Sequence, residues 1–369
     1  VNPFRVELKK FTLKFIKPMG TSRGVLHEHE VYILALIDKR NPQRFGLGEC
    51  SPLPGLSIDH RPEFEEKLQD VCDLLSGDVA PQEIDLRDWP AVRFGLETAL
   101  IDFNTGGHRI LFLSDFTRGY KSIPINGLIV MADFETMRQQ AFAKIAAGFT
   151  CIKIKIGALN FEDECRLLRE IRQQHPPEKI TLRLDANGAF NPGEAFEKLK
   201  LLSQFEIHSL EQPIKAGQWE EMARLCAASP IPIALDEELI DCHTAAEKRN
   251  LLRAIRPRYL ILKPTLLGGF AACEEWVRLA GDHGVGYWVT SALESNIGLN
   301  AIAQWSATLP VIRESGTTLR TMPQGLGTGQ LYRANFPAPL NVANGQLHYS
   351  DHRGDRLMRL ADLELVERT

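Results

Sequence analysis

No stretch of this 369-residue chain is apolar for the ~20 residues a membrane-spanning helix needs, and no run of five or more like charges occurs in it. The first absence excludes a helical membrane protein. The second excludes the basic or acidic patch that nucleic acid or an anionic membrane surface would require. With 43 basic against 47 acidic residues and a net charge of −4, the expected partner is a small molecule, with neither nucleic acid nor membrane, and no signal specifies an oligomeric state. No CxxC pair is present: Cys50, Cys72, Cys151, Cys165, Cys226, Cys242 and Cys273 are odd in number and irregularly spaced, which favours neither a disulfide framework nor a zinc site. Free buried thiols in a reducing compartment are the simpler reading. The first residues alternate like a strand and lack the apolar core of a secretory signal, so a cytoplasmic location is expected. No GxGxxG turn follows the first strands, and nothing points to a dinucleotide.

The composition, 44% hydrophobic and 24% charged, is that of a globular protein of about two domains. Residues 1–50 read as β-structure: Val6, Leu8, Phe11, Leu13 and Phe15 lie in one strand and HEVYILALIDK in a second, with a glycine-bounded loop Met19–Gly24 between them. Residues 46–57, GLGECSPLPGLS, read as turn. Residues 60–105 are helical, with Phe64, Leu68, Val71, Cys72 and Leu75 on one face. From about residue 122 short apolar runs alternate with amphipathic helices. Strands are expected at 124–130, 151–156, 180–185, 207–211, 231–236, 258–263 and 285–291. Each precedes a helix, near 133–147, 161–174, 193–203, 217–228, 243–253, 269–282 and 295–307. Repeated β-then-α units imply parallel strands with right-handed crossovers. Seven units, with an eighth strand expected around 311–319, suit a TIM-type (β/α) barrel better than an open sheet, although periodicity alone admits a doubly wound sheet. The expected fold is α/β: a barrel over 122–329 with an α+β capping domain over 1–121, completed by 330–369.

The residues that end the apolar runs carry the chemistry. Lys155, Asp185, Glu211, Asp236 and Lys263 end successive strands at steps of 30, 26, 25 and 27 residues, each about one βα unit. In a parallel barrel these ends form a ring at one mouth, where barrel enzymes place their active sites. One acid after a strand is commonly a helix cap; three in succession are not explained that way. Clustered carboxylates repel unless a cation neutralises them, and an all-oxygen set with room for water favours Mg²⁺, with Mn²⁺ as a substitute. No histidine ends one of these strands, and alternation from Glu211 puts His208 on the opposite face. In CIKIKI the lysines Lys153 and Lys155 share one face and the isoleucines the other. A surface edge strand gives the same pattern, but in a closed barrel the lysines point inward. Two inward lysines depress each other's pKa, which suits Lys155 to general-base work near neutral pH. Lys263 approaches from the far side of the ring. A carboxylate substrate would then be bracketed by base, metal and second cation, and the metal would stabilise the charge left when a proton leaves the α-carbon.

GLGECSPLPG, KIKIG, RLDANGAF, LEQP, ALDE, LKPTLLGG and SALESNIGLNAIAQ together resemble the enolase superfamily across nearly the whole chain, and the KxK pair with LKP resembles its muconate-lactonising branch. The resemblance implies Mg²⁺ ligands Asp185, Glu211 and Asp236. It implies that Lys155 takes the α-proton of a hydroxycyclohexadiene carboxylate and then helps hydroxide leave as water from the same face, a dehydration of the menaquinone pathway. Lys263 would stabilise the dianion by a cation–π contact as the ring becomes aromatic. Arg183 and Asn187 share strand parity with Asp185 and are assigned to the substrate carboxylate or to bracing the metal. Glu237 is assigned beside the metal or as a helix cap, Lys153 to tuning Lys155, and Thr290 and Ser291 to the succinyl pocket. Thr21, Ser22 and Arg23 match a capping loop that closes over substrate, its glycine flanks suiting a hinge.

The competing reaction on the same framework is racemisation of N-acylamino acids or epimerisation of dipeptides, with Lys155 and Lys263 as bases on opposite faces. Dipeptide epimerases carry a pair of aspartates after strand eight, and RTMPQGLGTGQLY has none. A non-catalytic relative would have lost a strand-end residue, and none is lost. Acid-sugar dehydratases place a histidine after strand seven, where this chain has Thr290 and Ser291.

Overall fold

The computed structural model describes residues 2–21, 24–157, 159–310, 313–314, 318–319 and 322–350. Three antiparallel strands, β1 (Phe4–Thr21), β2 (Gly24–Asp38) and β3 (Phe45–Cys50), form the first sheet in that order. Alternation explains its two faces. Leu34 and Leu36 of β2 pack with Leu68, Val71 and Leu96 of helices α1 (Phe64–Ser76) and α2 (Pro90–Asn104). Val31, Ile33 and Ile37 face the other way, toward Phe11, Leu13, Phe15, Tyr332 and Phe336. Residues 45–50, most of which were expected as turn, are strand. Gly46 and Gly48 serve close approach rather than turning, since a Cβ at either would overlap the α2 backbone at Ala99 or Gly95. The glycine-bounded loop is likewise mostly strand, with β1 continuing to Thr21.

After a two-residue strand β4 (Ile123–Pro124), the chain runs through β5 (Gly127–Ile129), α3 (Phe134–Ala146), β6 (Cys151–Lys155), α4 (Phe161–Gln174), β7 (Thr181–Asp185), α5 (Pro192–Ser203), β8 (Ser209–Glu211) and α6 (Trp219–Ala228). It continues through β9 (Ile233–Leu235), α7 (Ala245–Ile255), β10 (Tyr259–Leu262), the short α8 (Pro264–Leu267), α9 (Phe270–His283), β11 (Gly286–Val289) and α10 (Asn296–Ser306). Strands β5 to β11 form one seven-stranded sheet in chain order, every pair parallel. Each expected βα unit is thus present. Asn160 caps α4 and Thr244 forms a capping box at α7, which sets where those helices begin. Ile152, Ile154, Leu182, Leu184 and Leu210 pack outward against the helices in the largest core cluster.

The eighth strand is not where the apolar pattern put it. Arg313–Glu314 (β12) and Thr318–Leu319 (β13) pair antiparallel with each other and not with the parallel sheet. Gln324 and Gly325 instead bridge its two outer strands: Asn126 N donates to Gln324 O at 2.9 Å, Gly325 N to Val289 O at 2.8 Å and Ser291 N to Gly325 O at 3.0 Å. Beyond them, β14 (Leu340–Ala343) and β15 (Gln346–Tyr349) pair with β4. Tyr332 and Phe336 return to the first sheet; residues 351–369 lie outside the described residues. The first sheet and its helices are pinned to the parallel part by carboxylates set on helix N-termini. Glu97 of α2 accepts from Ala271 N of α9 at 3.0 Å, and Glu49 of β3 accepts from Ser295 N and Gly298 N of α10, each at 2.8 Å. Among the described residues no helix is long and apolar enough to cross a membrane.

Candidate active site

Strand register places the site. Lys155, Asp185 and Glu211 are direct neighbours across β6, β7 and β8, and Glu211 pairs with Ala234, two residues before Asp236. Lys153, Arg183 and Ser209 form the row below. All five strand-end groups converge. Lys153 Nζ lies 2.8 Å from Asp185 Oδ2 and 2.7 Å from Glu211 Oε2; Lys155 Nζ lies 2.6 Å from Asp185 Oδ2; Lys263 pairs with Asp236 Oδ2. Asp185, Glu211, Asp236 and Lys153 are buried, and Lys155 is the more accessible lysine of the KxK pair.

Mutual repulsion with its neighbour does not set the charge of Lys153. Burial disfavours the Lys153 ammonium, but Asp185, Glu211 and Asp236 outweigh it and hold its pKa well above the usual lysine value. Lys263 is raised in the same way, Asp236 and Glu211 overcoming burial. The expectation of mutually depressed lysines in the KxK pair fails at Lys153 because, in space, its ammonium meets carboxylates before it meets another ammonium. Burial also opposes the Asp185 charge, yet Lys153 and Lys155 hold that carboxyl far below its ordinary range. Glu211 goes the opposite way, raised by burial and by the Asp185 charge.

The other expected residues divide. Asn187 Oδ1 accepts from Lys155 Nζ at 2.6 Å, and its amide donates to Glu237 Oε1 at 3.0 Å, so Asn187 and Glu237 belong to the ring. Thr290 and Ser291 line the cavity above it. Arg183 does not reach that cavity. One side-chain row below Asp185, its guanidinium lies 3.9 Å over the Trp288 ring and donates to Pro323 O at 2.7 Å. His208 departs from its expected face as well: its ring stacks on Tyr259, centroids 5.1 Å apart, and it also meets Trp288. It precedes β8, so alternation counted back from Glu211 does not apply to it. Ser22, Arg23 and the Thr21 side chain lie outside the described residues.

The cavity measures about 620 Å³, within the range of small-molecule sites. Lys153, Lys155, Asn187 and Lys263 form its polar floor, and Met19, Leu26, Leu53, Leu56, Leu293 and Leu331 are among its apolar walls. Met19 and Leu26 come from the tip of the β1–β2 hairpin, where Gly20 pairs with Met131 beside the sheet.

Residues 136–354 match the family described as Enolase C-terminal domain-like. The chain is 46% identical to the o-succinylbenzoate synthase of Desulfotalea psychrophila, over 93% of this chain and 98% of that one. The crystal structure of MenC from the same organism superposes with a TM-score of 0.78 at 41% identity, covering 94% of this chain and 100% of the other. An N-succinylamino acid racemase from Amycolatopsis is similar at 23% identity, over 93% of this chain and 91% of its own. The chain belongs to the enolase superfamily, in the o-succinylbenzoate synthase family.

Enolase-superfamily enzymes depend on a divalent metal, and the residues here fit one by their chemistry. Among the described residues no three acids, histidines or cysteines already surround a single point as an ion cage; ammonium groups stand between the acids instead. The donors nonetheless are three buried carboxylates, Glu211 Oε2 is buried and accepts no well-directed hydrogen bond although Lys153 Nζ lies 2.7 Å away, and burial and the Asp185 charge raise the Glu211 carboxyl. A hard cation answers all three.

Two supports of this superfamily site were not evident from the sequence. Gln212, next to Glu211 and at φ +41°, donates to Glu238 Oε2 at 3.0 Å and accepts from Asp236 N at 3.1 Å, tying the ends of β8 and β9 together. Glu294 gathers the loops after β10 and β11. The only sequence signal for Gln212 is an amide beside a strand-end acid.

Proposed function

We propose that the protein is an o-succinylbenzoate synthase. It would dehydrate 2-succinyl-6-hydroxy-2,4-cyclohexadiene-1-carboxylate to 2-succinylbenzoate in menaquinone biosynthesis. The observation that carries the reading is that Lys155 and Lys263 bind different acids of one ring, Asp185 and Asp236, and form the floor of one cavity. The substrate comes from the near-full-length relative. On this reading the seven parallel strands with Gln324 and Gly325 form a TIM-type barrel over 122–329, and residues 1–121 with 330–369 form its α+β cap.

Asp185, Glu211 and Asp236 would hold a divalent ion, Mg²⁺ with Mn²⁺ as substitute, and when bound it supplies positive charge to the substrate carboxylate. Lys155 Nζ takes the proton from the carbon beside that carboxylate, and Asn187 and Asp185 fix where Nζ sits. The electron pair left behind enters the ring as the allylic C–O bond breaks. Lys155 returns the proton to the departing hydroxide, so one water leaves and the ring becomes aromatic. Lys263 stabilises the dianion from the other side. Lys153 holds Asp185 ionised and also pairs with Glu211. Thr290 and Ser291 line the end of the cavity that takes the succinyl chain. The seven cysteines form no disulfide, which fits a cytoplasmic location.

Purified protein is expected to form 2-succinylbenzoate with Mg²⁺ present and to stop with EDTA. The second reading, an N-acylamino acid racemase or dipeptide epimerase, is favoured by the Amycolatopsis relative and uses the same lysines. Faster racemisation of N-succinylamino acids than dehydration in a side-by-side assay would establish it instead.

A further inference from the structure

Glu294 sits in the loop after β11, fully buried, and none of the chemistry above uses it. Its Oε2 accepts from Ser291 Oγ at 2.5 Å and Ala292 N at 2.8 Å, while Oε1 accepts from the Thr265 hydroxyl. Those donors come from different segments: Ser291 and Ala292 line the cavity, and Thr265 lies behind the cavity-lining Lys263. Thr265 lies in α8, two residues after Lys263, and α8 is hydrogen-bonded back to Lys263 O through Leu266 N and Leu267 N, both at 3.0 Å. Ser291 lines the cavity and also accepts from Thr328 Oγ1 at 2.8 Å, which brings in a third segment.

The loop is held against its own preference. Leu293, a cavity wall, has φ +65°, a conformation that a branched side chain adopts only when its surroundings impose it. Leu293 N donates to Ser291 Oγ at 3.1 Å and Leu293 O accepts from Tyr332. Gly298 leaves the room: a Cβ there would come within 3.0 Å of both the Glu294 Cγ and the Glu49 carboxylate.

We infer that Glu294 is a positioning residue for both ends of the substrate, one carboxylate oxygen setting the turn that carries Lys263 and the other setting Ser291 and the strained Leu293 wall. The two oxygens then have separable effects. The Thr265 side acts on the charged transition state, and the Ser291 side acts on the affinity of the bound chain. The inference rests on the proposed dehydration, but the affinity half stands apart from turnover.

The test compares wild type with Glu294→Gln, Thr265→Val and Ser291→Ala in the full-length Mg²⁺-loaded protein. It measures kcat and KM for dehydration, calorimetric affinity for 2-succinylbenzoate, Mg²⁺ affinity and melting temperature. Thr265→Val is expected to lower kcat about tenfold with product affinity within twofold, since one charge-assisted hydrogen bond to a buried acid is lost. Ser291→Ala is expected to weaken product binding about tenfold with a smaller change in kcat. Glu294→Gln, isosteric but with one acceptor turned donor, should show both losses while Mg²⁺ affinity stays unchanged. A merely structural role would lower the melting temperature and leave kcat, KM and product affinity per folded molecule at wild-type values, which overturns the inference. So does a Glu294→Gln protein within twofold of wild type in both kcat and product affinity. If wild type itself fails to dehydrate the substrate, the proposed function falls. The inference falls with it only if product affinity is also indifferent to Ser291→Ala and Glu294→Gln.

Discussion

Buried carboxylates occur in both parts of the molecule, and they are satisfied in two different ways. Around the parallel sheet Asp185, Glu211 and Asp236 meet lysine ammoniums. In the antiparallel unit Glu49 and the half-buried Glu97 meet backbone N–H groups at helix N-termini, and Asp59 accepts from Ala91 N at 2.8 Å; the buried Asp102 there takes both backbone amides and Arg109. Backbone amides are fixed by the fold, so acids held mainly by them serve to hold structure together; Glu49 accepts from the Ser295 hydroxyl as well. Ammonium groups sit on flexible stems, and their positive charge can be shared with an ion or an incoming carboxylate. The partner, more than the acid, separates scaffold from chemistry.

The largest effect should come from the ammonium side. Lys155→Ala is expected to lower dehydration by roughly 10²–10⁴-fold, with Mg²⁺ binding by calorimetry preserved; retained turnover would remove Lys155 as the base. Next, Glu211→Gln should weaken Mg²⁺ binding by more than the ~10–100-fold typical of groups that only brace a ligand. Unchanged affinity would place the ion elsewhere and break the comparison at its centre.

On the amide side the effects should fall on stability. Glu49 is pushed up to about 7 from 4.5, first by burial. The folded protein therefore keeps a proton there that the unfolded chain has released, so this contribution is full below 4.5 and is lost as pH rises through about 7. Chemical denaturation should show wild type losing roughly 3 kcal/mol relative to Glu49→Gln across that window; a flat difference would refute it. Smallest, Glu97→Ala should cost ~1 kcal/mol through the lost cap on α9, with kcat unchanged. A drop in kcat at constant melting temperature would show that the antiparallel carboxylates reach into the chemistry.

What the sequence made legible was whatever repeats locally. Lys155, Asp185, Glu211, Asp236 and Lys263 end runs whose period follows from the βα unit, and register then brings them together without further information. Properties set by distant neighbours were not legible. The lysine charges depend on which groups surround each ammonium in space, and Arg183 depends on depth, one row below Asp185 and against Trp288. Glu294 gains its meaning from Thr265, which lies 29 positions away along the chain. The eighth strand was sought as an apolar run, whereas the bridge between β5 and β11 uses the backbone of Gln324 and Gly325, which needs no hydrophobic pattern.

The β1–β2 hairpin reaches from the first sheet to the cavity wall. Its pairing is regular from Phe4 to Lys14 and shifts register between Lys14 and Met19, just before the tip that touches the cavity. Three residues of β1, Met19–Thr21, lie beyond that shift and span about 10 Å at ~3.3 Å each. A rotation of about 10° at the irregularity would move the tip by about 2 Å, the scale on which a cavity wall admits or refuses one methyl group. The gearing of the mouth is thus set at the shift between Lys14 and Met19, where Ile16, Lys17 and Pro18 themselves line the cavity.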